Sequence, residues 1–320
     1  MKFFREIFKV RNEVSVRYDK EHSAVWLYLN PNDRPRYSIQ MLNSMLDTQK
    51  AVISYFKHSQ VQLQYPIKYF IFASQVNGIY NYGGDLEHFA KMIINKDKEQ
   101  LQEYAHKCID VVYLSAVNLH SPITTITLLE GDALGGGFES ALSTSVLIAQ
   151  EDVKMGFPEI RFNMFPGMGA YSFLARYHGM KFAQEIISSG KVYSARMLYE
   201  KGVVHKLVKK GKGVQEVCAF MKKYSRFSNG MQGIQKVEQI YKPLSYNELI
   251  KITDLWVETA LNIRESDIKM MYKLVKAQNR KKINHNKIRT NFDRRIIEVN
   301  DLMDNLPYER RKCRDRRIAV

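Results

Sequence analysis

Cysteine is scarce in this chain, which contains only Cys108, Cys218 and Cys313 among its 320 residues. The three cysteines lie far apart, and neither a Cys-x-x-Cys pair nor a paired histidine spacing accompanies them. Disulfide frameworks and structural zinc sites are usually recognised by such spacings. The sequence therefore predicts neither a disulfide scaffold nor a metal site.

Long uncharged apolar runs are also missing. The first segment, MKFFREIFKVRNEV, contains basic residues, but charges interrupt it before it reaches the length of a signal peptide or a membrane span. We therefore expect a globular protein that has no membrane span and stays in the cytoplasm.

Negative charge is in short supply. The 49 Lys and Arg residues exceed the 33 Asp and Glu residues, and the formal net charge is +16. Such an excess favours polyanions, membrane surfaces or acidic proteins as partners. Thirteen basic and six acidic residues lie between Arg280 and Val320. We interpret this basic tail as a solvated helical segment in preference to a nucleic-acid arm.

The two common glycine-rich nucleotide motifs are absent. No G-x-G-x-x-G opens a strand–helix unit, and no Gly-Lys-Ser/Thr follows a glycine run. The chain does contain three successive glycines in GDALGGGFES, residues 131–140, between two apolar segments. Glycines at a strand–helix turn leave backbone N–H groups available to an anion or a carbonyl oxygen. This turn is therefore a candidate oxyanion hole.

Strand and helix patterns alternate over the first two thirds of the chain. EVSVRY and AVWLYLN predict a hairpin, and KYFIFASQ, ITTITLL and SVLIAQ predict buried strands. SIQMLNSMLDTQKAVISYFKHS predicts a helix. After about Val208 the patterns become helical, including a long one from Ser245. We predict an α/β core over residues 1–208 and a helical region over residues 209–320 that serves oligomerisation, the pocket wall and the basic tail.

Two glutamates stand in apolar surroundings, Glu139 at the end of the glycine motif and Glu159 in MGFPEIRFNMFPGMGA. A second glycine turn, NYGGDLEHF at residues 81–89, follows the strand KYFIFASQ and opens a helix. A single glutamate of this kind is usually a helix cap or an ion-pair partner. The two glutamates and the two turns together indicate one acid/base site with two amide donors.

These segments resemble the motifs of the crotonase (enoyl-CoA hydratase/isomerase) superfamily over residues 13–208. YGGDL, ALGGGFE, the span from Pro158 to Gly169, and SARMLYEKGVVHKLV occur in the family's order, with Leu198 where a second Ala is usual. The resemblance implies an α/β fold with a β-spiral core of repeated ββα units and a C-terminal α-helical region. It also implies a homo-oligomer, usually a trimer or a pair of trimers.

The resemblance also implies a chemistry. The amides of Gly84 and Gly136 would form an oxyanion hole for a thioester carbonyl, and Glu139 and Glu159 would be the catalytic acid and base, with either residue in either role. No metal, nicotinamide or flavin would be required. The residues predicted to bind the substrate belong to these motifs or to the long C-terminal helix; they are Tyr82, Leu134, Met168, Gly169, Trp256 and Leu274.

Within the superfamily, the chain most resembles the RpfF-type diffusible signal factor (DSF) synthases. LEGDALGGGFESALS, FPEIRFNMFPGMGAYSFLARY and the basic C-terminus carry this resemblance over nearly the whole length. It implies dehydration of a 3-hydroxyacyl group on acyl carrier protein to the cis-2-enoyl thioester, and thioesterase release of the free fatty acid, a quorum-sensing signal. Acyl carrier protein is acidic, which suits the positive charge. The resemblance also makes a signalling sensor or receiver domain a candidate partner.

Two other functions stay open. A hydratase or isomerase that acts on coenzyme A thioesters shares every core motif described above. An RNA-binding crotonase homologue would suit the net charge of +16. The glutamate pair argues against nucleic-acid binding as the main role.

Overall fold

The structure is a computed structural model that describes residues 2–58 and 64–279. The basic tail from Arg280 onwards, including Cys313, lies outside the described residues. No helix in the described part is long and apolar enough to cross a membrane.

The described residues form ten strands and twelve α-helices. The strands are β1 Val14–Asp19, β2 Ala24–Leu29, β3 Tyr69–Ser74, β4 Gly78–Asn81, β5 Thr124–Leu129, β6 Gly131–Leu134, β7 Val146–Gln150, β8 Lys154–Gly156, β9 Val192–Ser194 and β10 Lys206–Val208. The helices are α1 Lys2–Ile7, α2 Ile39–Phe56, α3 Leu86–Ile94, α4 Lys98–Ala116, α5 Gly136–Leu142, α6 Ala170–His178, α7 Met180–Ser189, α8 Ala195–Glu200, α9 Gly213–Ser225, α10 Ser228–Tyr241, α11 Tyr246–Leu261 and α12 Glu265–Asn279.

The strands build two sheets. The larger has the order β1-β2-β3-β5-β7-β10, in which only the β1–β2 hairpin is antiparallel. The smaller has the order β4-β6-β8-β9 and is parallel except for the β8–β9 pair. Successive pairs β3–β4, β5–β6 and β7–β8 each place one strand in each sheet. This repeated winding is the predicted spiral, and the α/β fold class is confirmed.

The larger sheet is covered on both faces, which explains why every residue of β2 is buried. Alternate residues of a strand point to opposite faces. Ala24, Trp26 and Tyr28 accordingly belong to one apolar cluster, which also contains Val217 and Met221 of α9. The intervening β2 residues belong to the main core, which includes the α2 face; they are Val25, Leu27 and Leu29.

The predicted helix over residues 38–59 is α2. The Ser38 hydroxyl accepts a hydrogen bond of 3.0 Å from the Met41 N–H and caps the helix start. Its buried face provides core residues at helical spacing: Leu42, Met45 and Leu46.

The long helical pattern after Ser245 folds as two helices, α11 and α12, with a break at Asn262–Arg264. The Asp267 carboxylate accepts a hydrogen bond of 3.0 Å from the Arg264 N–H at the start of α12. Side chains that bond backbone N–H groups in this way favour a new helix start. Among the described residues the last strand ends at Val208, and the proposed division of the chain at that residue stays a prediction.

Candidate active site

Two glycine turns lie side by side because β4 and β6 are parallel neighbours, with Asn81 opposite Ala133. Parallel strands deliver their following loops to the same edge of a sheet. The turn after β4 contains Gly83 and Gly84, and the turn after β6 contains Gly135 and Gly136. A side-chain carbon placed on Gly136 would lie 3.6 Å from the Gly84 nitrogen. The structure therefore brings the two predicted oxyanion-hole residues together.

Glycine is required in these turns by conformation and by space. Gly83 has φ +91° and Gly135 has φ +53°, values that other residues rarely adopt. A side-chain carbon on Gly83 would lie 2.7 Å from the Gly136 nitrogen, and one on Gly135 would lie 2.5 Å from Glu159 Oε1. Larger residues would separate the turns or displace the carboxylate.

The segment before α2 holds the first turn in place. Tyr37 donates its N–H to the Gly83 carbonyl at 2.8 Å, and Tyr82 donates its N–H to the Pro35 carbonyl at 2.7 Å. The Tyr37 side chain reaches the helix that follows the other turn, because its hydroxyl bonds Ser140 Oγ in α5. Tyr37 therefore connects the turn that carries Gly84 with the helix that carries Glu139.

Glu139 lies in the first turn of α5 and is 2% exposed. Its Oε1 accepts hydrogen bonds from the N–H groups of Met168 at 2.7 Å and Ala170 at 3.0 Å. Burial raises the pKa of Glu139 to about 7, and the two N–H donors limit that rise. The carboxyl group is thereby fixed in position and exchanges its proton near neutral pH.

Glu159 begins the 3₁₀ turn Glu159–Phe162, directly after Pro158. Its Oε2 is buried and has no hydrogen-bond partner among the described residues. Burial, and then the charge of Glu139, raise the pKa of Glu159 well above its usual range. Its surroundings therefore favour the protonated form of Glu159.

The two carboxyl groups and the two glycine turns face one cavity of about 260 Å³. Most of its wall is apolar. The wall includes side chains from four helices, α3, α4, α11 and α12; they are Phe89, Ile93, Ala105, Cys108, Trp256, Met271 and Leu274. The cavity therefore joins a polar candidate reaction centre to an apolar compartment.

The last two helices complete that compartment. Thr253 on α11 donates its hydroxyl to the Gly167 carbonyl at 2.8 Å, and the Trp256 ring packs edge-on against Phe89 at 5.2 Å. On α12, the Asp267 carboxylate accepts a hydrogen bond of 3.3 Å from Asn163, which ends the 3₁₀ turn of Glu159. Both helices are thus tied to segments that carry the reaction centre.

Five of the six predicted substrate-binding residues line the cavity, namely Tyr82, Leu134, Met168, Trp256 and Leu274. Gly169 lies outside this lining. Gly169 caps the start of α6 and has a φ of +108°. A side-chain carbon on Gly169 would lie 2.7 Å from Phe173, which is not a cavity-lining residue. The role of Gly169 is instead to form the turn whose next N–H, that of Ala170, binds Glu139.

The sequence analysis missed the wall contributed by α3 and α4. Phe89 and Ile93 are four residues apart and share one helix face, a spacing that the sequence shows. Nothing in that spacing distinguishes a pocket wall from ordinary core. The buried thiol of Cys108 was missed for the same reason, and burial raises its pKa far above the usual range, so it is a poor nucleophile.

Within the described residues, the side chains that could share a metal ion form one group, Asp19, His22 and Cys218. None of the three lines the cavity. The reaction centre itself offers two carboxyl groups and backbone amides, which suit proton transfer and oxyanion binding.

Comparisons with known proteins agree with this geometry. The profile of the enoyl-CoA hydratase/isomerase family matches residues 61–282. Human mitochondrial methylglutaconyl-CoA hydratase is 30% identical over 202 residues, which cover 61% of this chain and 54% of that protein. A probable enoyl-CoA hydratase of Bacillus subtilis (strain 168) is 33% identical over 122 residues, which cover 38% of this chain and 45% of that protein. The chain thus spans about half the length of these relatives.

Solved structures share the fold. The enoyl-CoA hydratase from Bacillus halodurans superposes with a TM-score of 0.68 at 19% identity, covering 82% of this chain and 100% of that one. Pseudomonas aeruginosa DspI superposes with a TM-score of 0.62 at 17% identity, covering 84% and 98% of the two chains. Together with the paired carboxyl groups and the glycine turns, the family match leads to one conclusion: the chain belongs to the enoyl-CoA hydratase/isomerase family, within the crotonase superfamily.

Proposed function

We propose that this protein catalyses the reversible addition of water to the double bond of a 2-enoyl-CoA thioester. The observation that carries the proposal is the arrangement of Glu139 and Glu159, two carboxyl groups of raised pKa, beside the adjoining turns of Gly84 and Gly136. An acid, a base and two amide donors around one cavity are the groups that this reaction needs.

The oxyanion hole is assigned to the backbone N–H groups of Gly84 and Gly136. Addition of water at the β-carbon moves negative charge onto the thioester oxygen, which two preoriented amides stabilise more strongly than they stabilise the substrate. Removal of one such donor typically costs about 2.7–4 kcal/mol of transition-state stabilisation.

The hydrogen bonds of the two carboxyl groups favour one assignment of roles: Glu139 Oε1 accepts two backbone N–H groups, which favour an ionised carboxylate, whereas Glu159 Oε2 has no partner among the described residues. In the hydration direction, ionised Glu139 takes a proton from water, whose oxygen bonds to the β-carbon. Protonated Glu159 then gives its proton to the α-carbon, and the charge on the thioester oxygen returns to the carbonyl. Dehydration reverses these steps, so that Glu159 removes the α-proton and Glu139 protonates the departing hydroxyl group. No metal, nicotinamide or flavin takes part.

Coenzyme A is the carrier that the comparisons favour. The matching family is that of enoyl-CoA hydratases and isomerases, and both curated relatives described above are named as CoA hydratases. The apolar compartment would hold the acyl chain between α3 and α12, with Phe89, Trp256 and Leu274 in its wall.

A second candidate is a DSF-synthase activity, which keeps the same reaction centre and changes the carrier. The protein would dehydrate 3-hydroxyacyl-acyl carrier protein to the cis-2-enoyl thioester. Water activated by a glutamate would then attack the thioester carbon, and the carrier thiol would leave. The net charge of +16 favours this candidate, because acyl carrier protein is acidic.

Product analysis tests the two candidates. Wild-type protein is incubated with 2-enoyl-CoA, 3-hydroxyacyl-CoA and matched 3-hydroxyacyl-carrier substrates, and the products are identified by mass spectrometry. Interconversion of the two CoA thioesters, with the thioester intact, supports the hydratase. Release of free cis-2-enoic acid, with carrier protein preferred and its KM rising with salt, supports the DSF synthase. Absence of both reactions in folded protein refutes both candidates.

We propose that the working form is a homo-oligomer, as is common in this family, and specifically a trimer. α10 has no buried residue in the isolated chain. Its exposed apolar side chains would be covered by a second copy; they are Ile234, Val237, Ile240 and Tyr241. Three expectations from the sequence stay predictions. They are a signalling sensor or receiver domain as partner, a cytoplasmic location, and the absence of nucleic-acid binding as the main role.

A further inference from the structure

We propose that Asp19, His22 and Cys218 form a binding site for a divalent transition-metal ion of the zinc type. The three residues offer a carboxylate oxygen, an imidazole nitrogen and a sulfur, which all lie within 4.8 Å of one another. The site is separate from the cavity of the glutamate pair, since none of the three lines that cavity.

Two distant parts of the chain supply the ligands. Asp19 is the last residue of β1, and His22 lies in the hairpin turn before β2. Asp19 Oδ1 accepts a hydrogen bond of 3.1 Å from the His22 N–H, and its Oδ2 lies 2.7 Å from His22 Nδ1. Cys218 comes from α9, in the apolar cluster that packs against β2. The fold therefore holds the hairpin turn and the thiol together.

The ligand chemistry selects the class of ion. Calcium and magnesium prefer oxygen ligands, whereas thiolate with imidazole suits zinc and its neighbours in the transition series. Zinc–sulfur and zinc–nitrogen bonds of about 2.3 and 2.0 Å place ligand atoms about 3.5 Å apart in a tetrahedron. The ligand atoms, within 4.8 Å of one another, are close enough to reach that spacing through small side-chain adjustments, and water would complete the tetrahedron.

Burial and charge balance support an ion at this place. The side chains of His22 and Asp19 are 6% and 1% exposed, and Cys218 is 7% exposed. Binding would release the thiol proton, and the thiolate and the carboxylate would then neutralise a divalent cation. A neutral buried cluster is acceptable in apolar surroundings, where an unpaired charge is costly.

The proposed ion would be a structural cross-link between two elements, which we call the clip. The bound ion would fasten the β1–β2 turn, at the edge of the larger sheet, to α9 on its outer face. An ion that binds the folded chain and not the unfolded chain raises the free energy of unfolding by RT ln(1 + c/Kd), where c is the free ion concentration. The clip therefore acts on the melting temperature, Tm, and not on the chemistry of the glutamate pair.

Cobalt titration tests the site without assuming any enzymatic activity. Full-length protein freed of metal by a chelator is titrated with Co²⁺, whose tetrahedral thiolate complexes absorb in the near ultraviolet and the visible. We expect a saturable thiolate-to-cobalt band at about one Co²⁺ per chain, displaced by Zn²⁺, together with a higher Tm. A folded wild-type protein that shows no such band overturns the proposal.

Three cysteine variants identify which thiol gives rise to the thiolate-to-cobalt band. Cys218→Ser should weaken Co²⁺ binding by at least about 100-fold and abolish the thiolate band, because the sulfur ligand is lost. Cys108→Ser and Cys313→Ser are the matched controls and should keep the band. His22→Gln, which leaves the buried thiol in place, should weaken binding as well. A band that survives in folded Cys218→Ser, or disappears in either control, contradicts the assignment.

Discussion

At the scale of single residues, the two buried carboxyl groups set how activity depends on pH. In the proposed hydration, Glu139 acts as an ionised base and Glu159 as a protonated acid. Because burial raises the pKa of Glu139 to about 7, kcat/KM should rise with pH through that region. It should fall again at higher pH, where Glu159 loses its proton. Initial rates of 2-enoyl-CoA hydration across this range measure the profile. The apparent pKa of each limb is a property of the two coupled glutamates together. A profile that is flat through pH 7 would exclude Glu139 as the base.

The same burial makes a prediction for stability. The pKa of Glu159 is raised in the folded state, so its contribution to stability is present at low pH and is lost as pH rises through the folded pKa. Glu159→Gln cannot ionise. The variant should therefore gain in free energy of unfolding, relative to wild type, as the pH becomes alkaline.

Urea unfolding at mildly acidic and at alkaline pH measures this gain. Glu151→Gln is the matched control, since Glu151 is a surface residue paired with Arg196 at 2.8 Å and such pairs contribute little. The idea fails if Glu159→Gln and wild type keep the same stability difference at both pH values.

At the scale of elements, Tyr37 links the two halves of the reaction centre. Its backbone N–H holds the Gly83 carbonyl and its hydroxyl bonds Ser140, next to Glu139. Tyr37→Phe should cost about 1 kcal/mol of stability through the lost buried hydrogen bond. It should also lower kcat several-fold with little change in KM, because the turn and α5 lose their shared support.

Tyr18→Phe is the matched control for Tyr37→Phe. Tyr18 is also fully buried, and its hydroxyl donates to the Pro66 carbonyl at 2.8 Å, which belongs to neither of the glycine turns nor to α5. We expect a similar loss of stability with normal kcat. Unchanged kcat in Tyr37→Phe, measured beside this control, would show that the link has no role in turnover.

The elements also show what a sequence can and cannot predict. Strands such as β3, β5 and β7 follow from apolar runs, and the turns at Gly84 and Gly136 follow from their glycines, because both signals are local. The meeting of the turns depends on the pairing of β4 with β6, a contact between distant residues that neither glycine turn encodes by itself.

Tertiary contacts account for what the sequence analysis missed. Phe89 and Cys108 line the cavity because α3 packs against α12 and α4 packs against α11. Helix periodicity alone does not encode that packing. The cluster of His22 and Cys218 was missed because metal motifs are recognised by short spacings, whereas these two residues lie far apart along the chain and meet only in the fold.

At the scale of the whole molecule, the exposed apolar row of α10 predicts the assembly. Ile234, Val237 and Ile240 recur at helical spacing and are 53%, 64% and 80% exposed. Sedimentation should give a trimer, with about three times the chain mass of 37.4 kDa. The double variant Val237→Glu/Ile240→Glu should dissociate it, because charge is costly in an apolar interface.

Val10→Glu is the matched control for the assembly, because Val10 is fully exposed and lies outside α10. It should sediment as wild type does. A monomeric wild-type protein, or a trimer that survives both substitutions in α10, would rule out this helix as the interface.

The most direct measurement follows water into the product. Wild-type protein, Glu139→Gln and Glu159→Gln are each incubated with 2-enoyl-CoA in ¹⁸O-labelled water, and the 3-hydroxyacyl-CoA is quantified by mass spectrometry. We predict labelled product from wild type. We predict at least about a hundredfold loss of rate in each variant, with the fold intact by circular dichroism, since each loses a general acid or base. Water addition at the wild-type rate by either folded variant would contradict the assignment of the glutamate pair.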